Sequence, residues 1–182
     1  MSALAVWTAR DGLLSTVAPL GLAAAAGTAL VIDLDPTGPC YPGKSSLADL
    51  VSEGPRRKDL APGGKGVAVL RNGGVEIAEA REVVEALIAG WPHVVVRVGE
   101  PGEANGLAPL VPVWPLLPGM LVPQVDSPSV FQRTGFSVAP PGQGPVLPRP
   151  RPALLEGLLK GVIARRSRWV TAWRPVWRLP WR

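Results

Sequence analysis

Apolar and polar positions along the first 115 residues alternate between two periods, and this pattern predicts an α/β domain. Short apolar runs typical of buried parallel strands are separated by segments in which apolar positions recur every three to four residues. The predicted strands cover residues 4–8, 28–32, 67–70, 93–98 and 110–113. The predicted helices cover residues 13–26, 46–52 and 76–89. Because proline is best tolerated in a first helical turn, Pro19 predicts that the first helix begins near Val17 or Ala18.

This order of elements specifies a three-layer architecture, in which a mostly parallel sheet is flanked by helices through right-handed crossovers. We assign residues 1–135 to this domain. Residues 136–152 are predicted to form a Pro-rich extended linker, because six prolines lie between positions 140 and 152. Residues 153–164 return to helical periodicity, and residues 153–182 together are predicted to form a cationic, amphipathic C-terminal helix and tail.

The second predicted strand ends in two acidic residues, Asp33 and Asp35, followed by Pro36. With this motif and two later segments, residues 91–101 and 110–115, the layout resembles the ParA/MinD family of deviant P-loop ATPases. The resemblance implies a P-loop NTPase-like fold. In that family a lysine- and glycine-rich loop cradles the phosphates, and a Ser/Thr hydroxyl holds magnesium.

The segment at the position of that loop, residues 9–16, has one glycine and no lysine. In the resemblance, Leu14 occupies the position of the phosphate-binding lysine, and Arg97 replaces the acid linked to the metal. We therefore expect a non-catalytic pseudo-ATPase without a cofactor. The alternative is an active ATPase that holds ATP and magnesium through an atypical, vestigial site: Arg10, Ser15, Thr16, Asp33 and Asp35. A third interpretation of the two aspartates is that they cap the turn after the strand.

Charge divides the chain into two parts. The net charge is +5, but all 14 acidic residues precede position 160. Seven basic residues follow from that point: Lys160, Arg165, Arg166, Arg168, Arg174, Arg178 and Arg182. The body is thus near neutral and the end of the chain is strongly cationic, which predicts two different surfaces.

Tryptophan recurs every four residues in this cationic end, at Trp169, Trp173, Trp177 and Trp181. On a helix these side chains would share one face flanked by arginines, as in helices that lie on anionic membranes. Three other interpretations remain open: docking to a protein through Trp and Arg anchors, folding back over the domain's own core, and, least favoured, nucleic-acid binding. The candidate membrane- or partner-binding residues are Arg165, Arg166, Arg168, Trp169, Trp173, Arg174, Trp177, Arg178, Trp181 and Arg182.

The resemblance implies a scaffold or regulator in bacterial division-site, chromosome-segregation or pilus and secretion placement. Its expected partner is a protein, such as an active ParA/MinD-type relative, and an anionic membrane surface is a second candidate. The single cysteine, Cys40, fits a reducing compartment. We therefore expect a cytoplasmic protein, peripheral at the inner face of the plasma membrane if the tail binds lipid. The uncharged run 12–32 is interpreted as a helix and a buried strand, since it contains Pro19 and three glycines.

Overall fold

A computed structural model describes residues 2–9, 12–122, 128–162 and 166–181. Within these residues seven strands form one sheet in which every pairing is parallel. They are β1 (Ser2–Thr8), β2 (Ala29–Asp33), β3 (Val67–Leu70), β4 (His93–Arg97), β5 (Leu110–Leu116), β6 (Val130–Arg133) and β7 (Val146–Leu147). Their spatial order is β3-β2-β4-β1-β5-β6-β7. The first five confirm the predicted strands to within three residues at each end.

Helices cover both faces of the sheet, so the predicted three-layer α/β class is confirmed. They are α1 (Gly12–Ala26), α2 (Leu47–Glu53), α3 (Ile77–Gly90), α4 (Pro152–Leu159) and α5 (Arg168–Ala172), with short 3-10 turns at Pro101–Ala104 and Arg174–Arg178. Alternate strand residues enter different cores, as the two-residue period of a strand requires. Leu4 and Val6 pack with α1, α4 and α5, whereas Ala5 packs with α2 and α3 on the other face.

Helix α1 begins at Gly12, so the prediction of a start near Val17 or Ala18 is wrong, and Pro19 lies inside the helix. An internal proline costs about 3 kcal/mol because it removes a hydrogen bond and crowds the preceding turn. Ten residues of α1 are buried. Their burial against the sheet outweighs the local cost, since each large apolar side chain contributes about 2 kcal/mol.

The Pro-rich segment contributes to the sheet. Val146 and Leu147, within the predicted linker 136–152, form β7 and pair with Phe131 and Gln132 of β6. Leu147 is fully buried in the core on the α1 face. Neither β6 nor β7 was predicted, because strands of four and two residues among prolines show too little periodicity to be recognised.

The end of the chain is not one continuous helix. Helix α4 stops at Leu159, five residues short of the predicted end, and residues 163–165 lie outside the described residues. Helix α5 has five residues and is followed at once by the 3-10 turn that contains Pro175. This arrangement follows from the missing N–H of proline, which cannot continue an α-helical hydrogen-bond ladder. Among the described residues, no helix combines the length and apolar character needed to cross a membrane.

Candidate functional site

The two acidic residues after β2 lie beside Arg97, the last residue of β4. Asp33 and Arg97 are paired in register on neighbouring strands. Nη1 of Arg97 lies 3.3 Å from Oδ2 of Asp33, and Nη2 donates to Oδ2 of Asp35 at 2.8 Å. Arg97 and Asp33 are 0% and 1% exposed. The carboxyl edge between β2 and β4 therefore carries a buried arginine bonded to two carboxylates.

Asp35 also organises the turn that follows. Its Oδ1 accepts hydrogen bonds from the amides of Thr37 and Gly38 and from the Thr37 hydroxyl, at 2.8–3.0 Å. Asp33 accepts from the amide of Asp35 at 3.2 Å. A Cβ at Gly38 would overlap the Arg97 guanidinium and the Asp35 carboxylate, so a larger residue there would displace the ion pair. Both aspartates thus act as turn-capping residues, one of the interpretations that the sequence left open.

The pKa values of the two carboxyl groups are shifted in opposite directions. Burial raises the pKa of Asp33 to about 6, although Arg97 and the amide of Asp35 act to lower it. Burial also acts to raise the pKa of Asp35, but hydrogen bonds from Thr37 and Gly38, with the nearby Arg97 charge, outweigh it and hold this pKa below its usual value. Asp35 is therefore ionised at neutral pH, where it pairs with Arg97.

The segment after this turn closes the edge of the sheet. Nη1 of Arg97 donates to the carbonyl oxygen of Pro39 at 2.7 Å. The Tyr41 hydroxyl donates to the Thr16 carbonyl in the first half of α1 at 2.6 Å, and the Tyr41 ring lies 5.5 Å from the guanidinium carbon of Arg97. Burial raises the pKa of Tyr41, so the phenol stays protonated. The chain from Asp35 to Tyr41 is thereby fastened to both β4 and α1.

The connection between β1 and α1 is short. Strand β1 ends at Thr8 and α1 begins at Gly12, so three residues separate them. The hydroxyls of Ser15 and Thr16 donate to the Gly12 carbonyl at 3.0 and 2.7 Å. These two candidate ligands are thus engaged by their own helix, while Arg10 lies outside the described residues.

The predicted phosphate site is therefore only partly assembled. Asp33 and Asp35 come together, but their partner is Arg97. Within the described ranges, no group of three or more His, Cys, Asp or Glu side chains is placed to hold a metal ion. Chemically, the arrangement is a closed ion network that links two strands and a turn.

The tryptophans of the C-terminal end pack into the protein instead of forming an exposed face. Trp169 and Trp173 are 2% and 0% exposed in the core on the α1 side, and their rings meet edge to face. Both lie against Gly21 of α1, where a Cβ would overlap their rings. Glycine at this position lets the tail approach the helix backbone, so folding back is the interpretation that the structure supports.

Trp177 and Trp181 are half-buried and also bonded within the protein. Nε1 of Trp177 donates to the Leu22 carbonyl at 3.0 Å, and the indole packs edge to face on His93. Nε1 of Trp181 donates to the Val176 carbonyl at 2.7 Å.

The arginines of the tail point away from this packing. Arg166, Arg168, Arg174 and Arg178 are exposed, and none forms a salt bridge with another described residue. Arg165 and Arg182 lie outside the described residues. The predicted tryptophan and arginine surface therefore divides into a buried apolar half and an exposed cationic half.

Sequence reasoning missed Tyr41 and Gln132, which connect distant segments of the chain. Tyr41 is the only tyrosine, and it lies in a stretch of turn residues. Gln132 is 5% exposed on β6, inside a strand that was not recognised. An isolated aromatic or amide residue within a polar, Pro-rich stretch is the signal that could have indicated a fixed loop.

No protein-family model matches the sequence, and no curated protein matches it.

Proposed function

We propose that this protein is a non-catalytic, ParA/MinD-like pseudo-ATPase that acts as a scaffold or regulator through its exposed surfaces. The observation that carries the proposal is the Arg97 network. Two carboxylates that would serve magnesium in a working site are bonded to a guanidinium of the protein itself. A buried cation in contact with both carboxylates opposes binding of a metal ion beside them.

The surroundings of α1 support the same conclusion. A phosphate loop offers several backbone N–H groups and a lysine to the phosphates. Here α1 starts four residues after β1 ends, and its two early hydroxyls bond to the Gly12 carbonyl. The ATP- and magnesium-binding alternative would require Arg97 and the segment from Asp35 to Tyr41 to move together.

Partner binding is assigned to the exposed arginines of the tail and not to its tryptophans. Arg174 and Arg178 lie on the 3-10 turn, exposed and without a salt bridge to another described residue. Arginine is enriched at protein interfaces, and cationic clusters also attract anionic membranes. The partner is a protein with an acidic surface, such as an active ParA/MinD-type relative, or an anionic membrane. Division-site, chromosome-segregation and pilus or secretion placement are the processes that the resemblance suggests.

The docking role is tested by replacing both arginines with acids. Arg174→Glu/Arg178→Glu should lose binding to an acidic partner protein captured from host extract, or to phosphatidylglycerol vesicles. The matched control is Arg57→Glu/Lys58→Glu, which reverses the same number of exposed charges in the segment before β3. Binding that is equal in both variants, or absent from the wild-type protein in both assays, would contradict the docking role.

A further inference from the structure

A cationic cavity lies outside the candidate nucleotide site. It has a volume of about 540 Å³ and is lined chiefly by Arg149, Arg151, Leu154, Arg166, Arg168 and Trp169. This volume is within the range of pockets that hold small ligands, about 300–1,000 Å³. Arg149 and Arg151 follow β7 closely, so the cavity adjoins the carboxyl end of this edge strand.

The charges around this cavity are all of one sign. The four described arginines that line it are exposed, none of the described residues in its lining is acidic, and none of the four forms a salt bridge with a described residue. Guanidinium groups held near one another repel, and an anion between them removes that repulsion. Their planar donor geometry matches phosphate oxygens in paired hydrogen bonds.

Gln132 fixes the two arginine-bearing segments relative to each other. Its Nε2 donates to the Pro148 carbonyl at 3.0 Å, next to Arg149. Its Oε1 accepts from Nε1 of Trp169 at 2.7 Å, next to Arg168. Trp169 is itself buried against Gly21. Both walls of the cavity are thus attached to the same buried side chain of β6, which holds the backbone that carries the arginines.

We propose that this cavity is a binding site for the phosphate groups of a polyphosphorylated ligand. One phosphate would fill only part of the space and engage only some of the donors, whereas two or three linked phosphates match four guanidinium groups. The phosphates belong to a soluble phosphate ester or to a lipid headgroup. This site is independent of the pseudo-ATPase proposal, because it uses none of Asp33, Asp35 or Arg97.

Calorimetric titration with inorganic tripolyphosphate tests the proposal on the full chain. We expect saturable binding to the wild-type protein and about 100-fold weaker binding to Arg149→Ala/Arg151→Ala, since each charge-assisted contact contributes about tenfold. The matched control, Arg57→Ala/Lys58→Ala, removes two exposed charges in the segment before β3 and should bind as the wild type does. Unchanged thermal unfolding of both variants shows that the fold is intact.

Absence of saturable binding would overturn the proposal. Equal weakening in the two variants would also overturn it, because tripolyphosphate binding would then reflect general charge attraction.

Gln132→Met provides a second test, since it keeps every arginine and removes both hydrogen bonds that position them. It should weaken tripolyphosphate binding, whereas unchanged binding would contradict the positioning by Gln132. Flotation on vesicles that contain a lipid with several phosphates, such as phosphatidylinositol bisphosphate, identifies the source of the phosphate. Flotation that tripolyphosphate competes away indicates a lipid headgroup, and tripolyphosphate binding without flotation indicates a soluble ligand.

Discussion

Nη2 of Arg97 donates to Oδ2 of Asp35 at 2.8 Å and links the end of β4 to the turn after β2. The same guanidinium contacts Asp33 and the Pro39 carbonyl. One arginine therefore supplies the positive charge that two carboxylates at this edge require.

Replacing Arg97 with methionine should destabilise the protein by about 3 kcal/mol at neutral pH. The methionine fills a similar volume, but Asp33, which is 1% exposed, is left without its cation. Urea unfolding followed by circular dichroism measures the change. Arg81→Met is the control, because the Arg81–Glu85 pair is exposed and contributes little. A loss below about 1 kcal/mol for Arg97→Met would show that the network is not structural.

The raised pKa of Asp33 predicts a specific pH dependence of stability. Folded Asp33 has a pKa of about 6 against an ordinary value of 3.8, so the folded state binds this proton more tightly than the unfolded chain. That contribution is fully present below about pH 4 and is lost as the pH rises through 6. Between pH 5 and pH 8 the loss is about 1.4 kcal/mol.

Comparison with Asp33→Asn isolates this effect, because asparagine does not titrate and every other group is shared. Asp35, whose pKa is lowered, stays ionised throughout this pH range, so its contribution to stability is the same in the wild type and the variant. Urea unfolding at several pH values should show the wild type losing stability relative to the variant as the pH rises. A wild type that gains relative stability with pH would mean that Arg97 outweighs burial at Asp33.

Gly21→Ala should destabilise the protein by about 1–3 kcal/mol, although alanine in a helix interior normally stabilises by about 1 kcal/mol. The added Cβ would overlap the rings of Trp169 and Trp173. Thermal unfolding provides the measurement. Gly12→Ala is the matched control, since its Cβ would lie 3.8 Å from Pro39 in ordinary contact. If Gly21→Ala raised the melting temperature, the tail would not be packed on α1.

A chain that ends at Arg166 should fail to fold as a stable monomer. It lacks Trp169, Val170, Trp173 and Val176, each at most 2% exposed. Their burial contributes about 8–10 kcal/mol, which is comparable to the whole stability of a typical domain, about 5–15 kcal/mol. A chain that ends at Leu179 is the control, because it loses only the half-buried Trp181 and the two residues beside it. Cooperative unfolding of the shorter chain near the wild-type temperature would show that the tail is an appendage.

The first half of the fold was predictable because long periodic segments and local capping determine it. Ser46 illustrates this: its side chain accepts from the amide of Asp49, and the Asp49 carboxylate accepts from the Ser46 amide, so four residues specify the start of α2. Strand β3 was predicted with its observed bounds, Val67–Leu70. In such segments local preference and tertiary packing agree.

The rest depends on contacts between residues distant in sequence. Spacing alone placed Trp169 and Trp173 on an amphipathic helix, but their burial depends on Gly21, about 150 residues earlier in the chain. The Arg97 network likewise joins residues 62 and 64 positions apart. Asp33 and Asp35 were identified from the sequence. Their contact with Arg97, which also reaches Pro39, follows only from the order of β2 and β4 in the sheet.

Calorimetric titration of ATP with magnesium tests most directly the proposal that the Arg97 network leaves no nucleotide site. The titration uses Arg149→Ala/Arg151→Ala, so that phosphate binding in the arginine cavity cannot contribute. The account predicts no saturable binding, with any Kd weaker than about 1 mM. Magnesium-dependent binding with micromolar affinity, abolished by a further Asp35→Asn substitution, would contradict it.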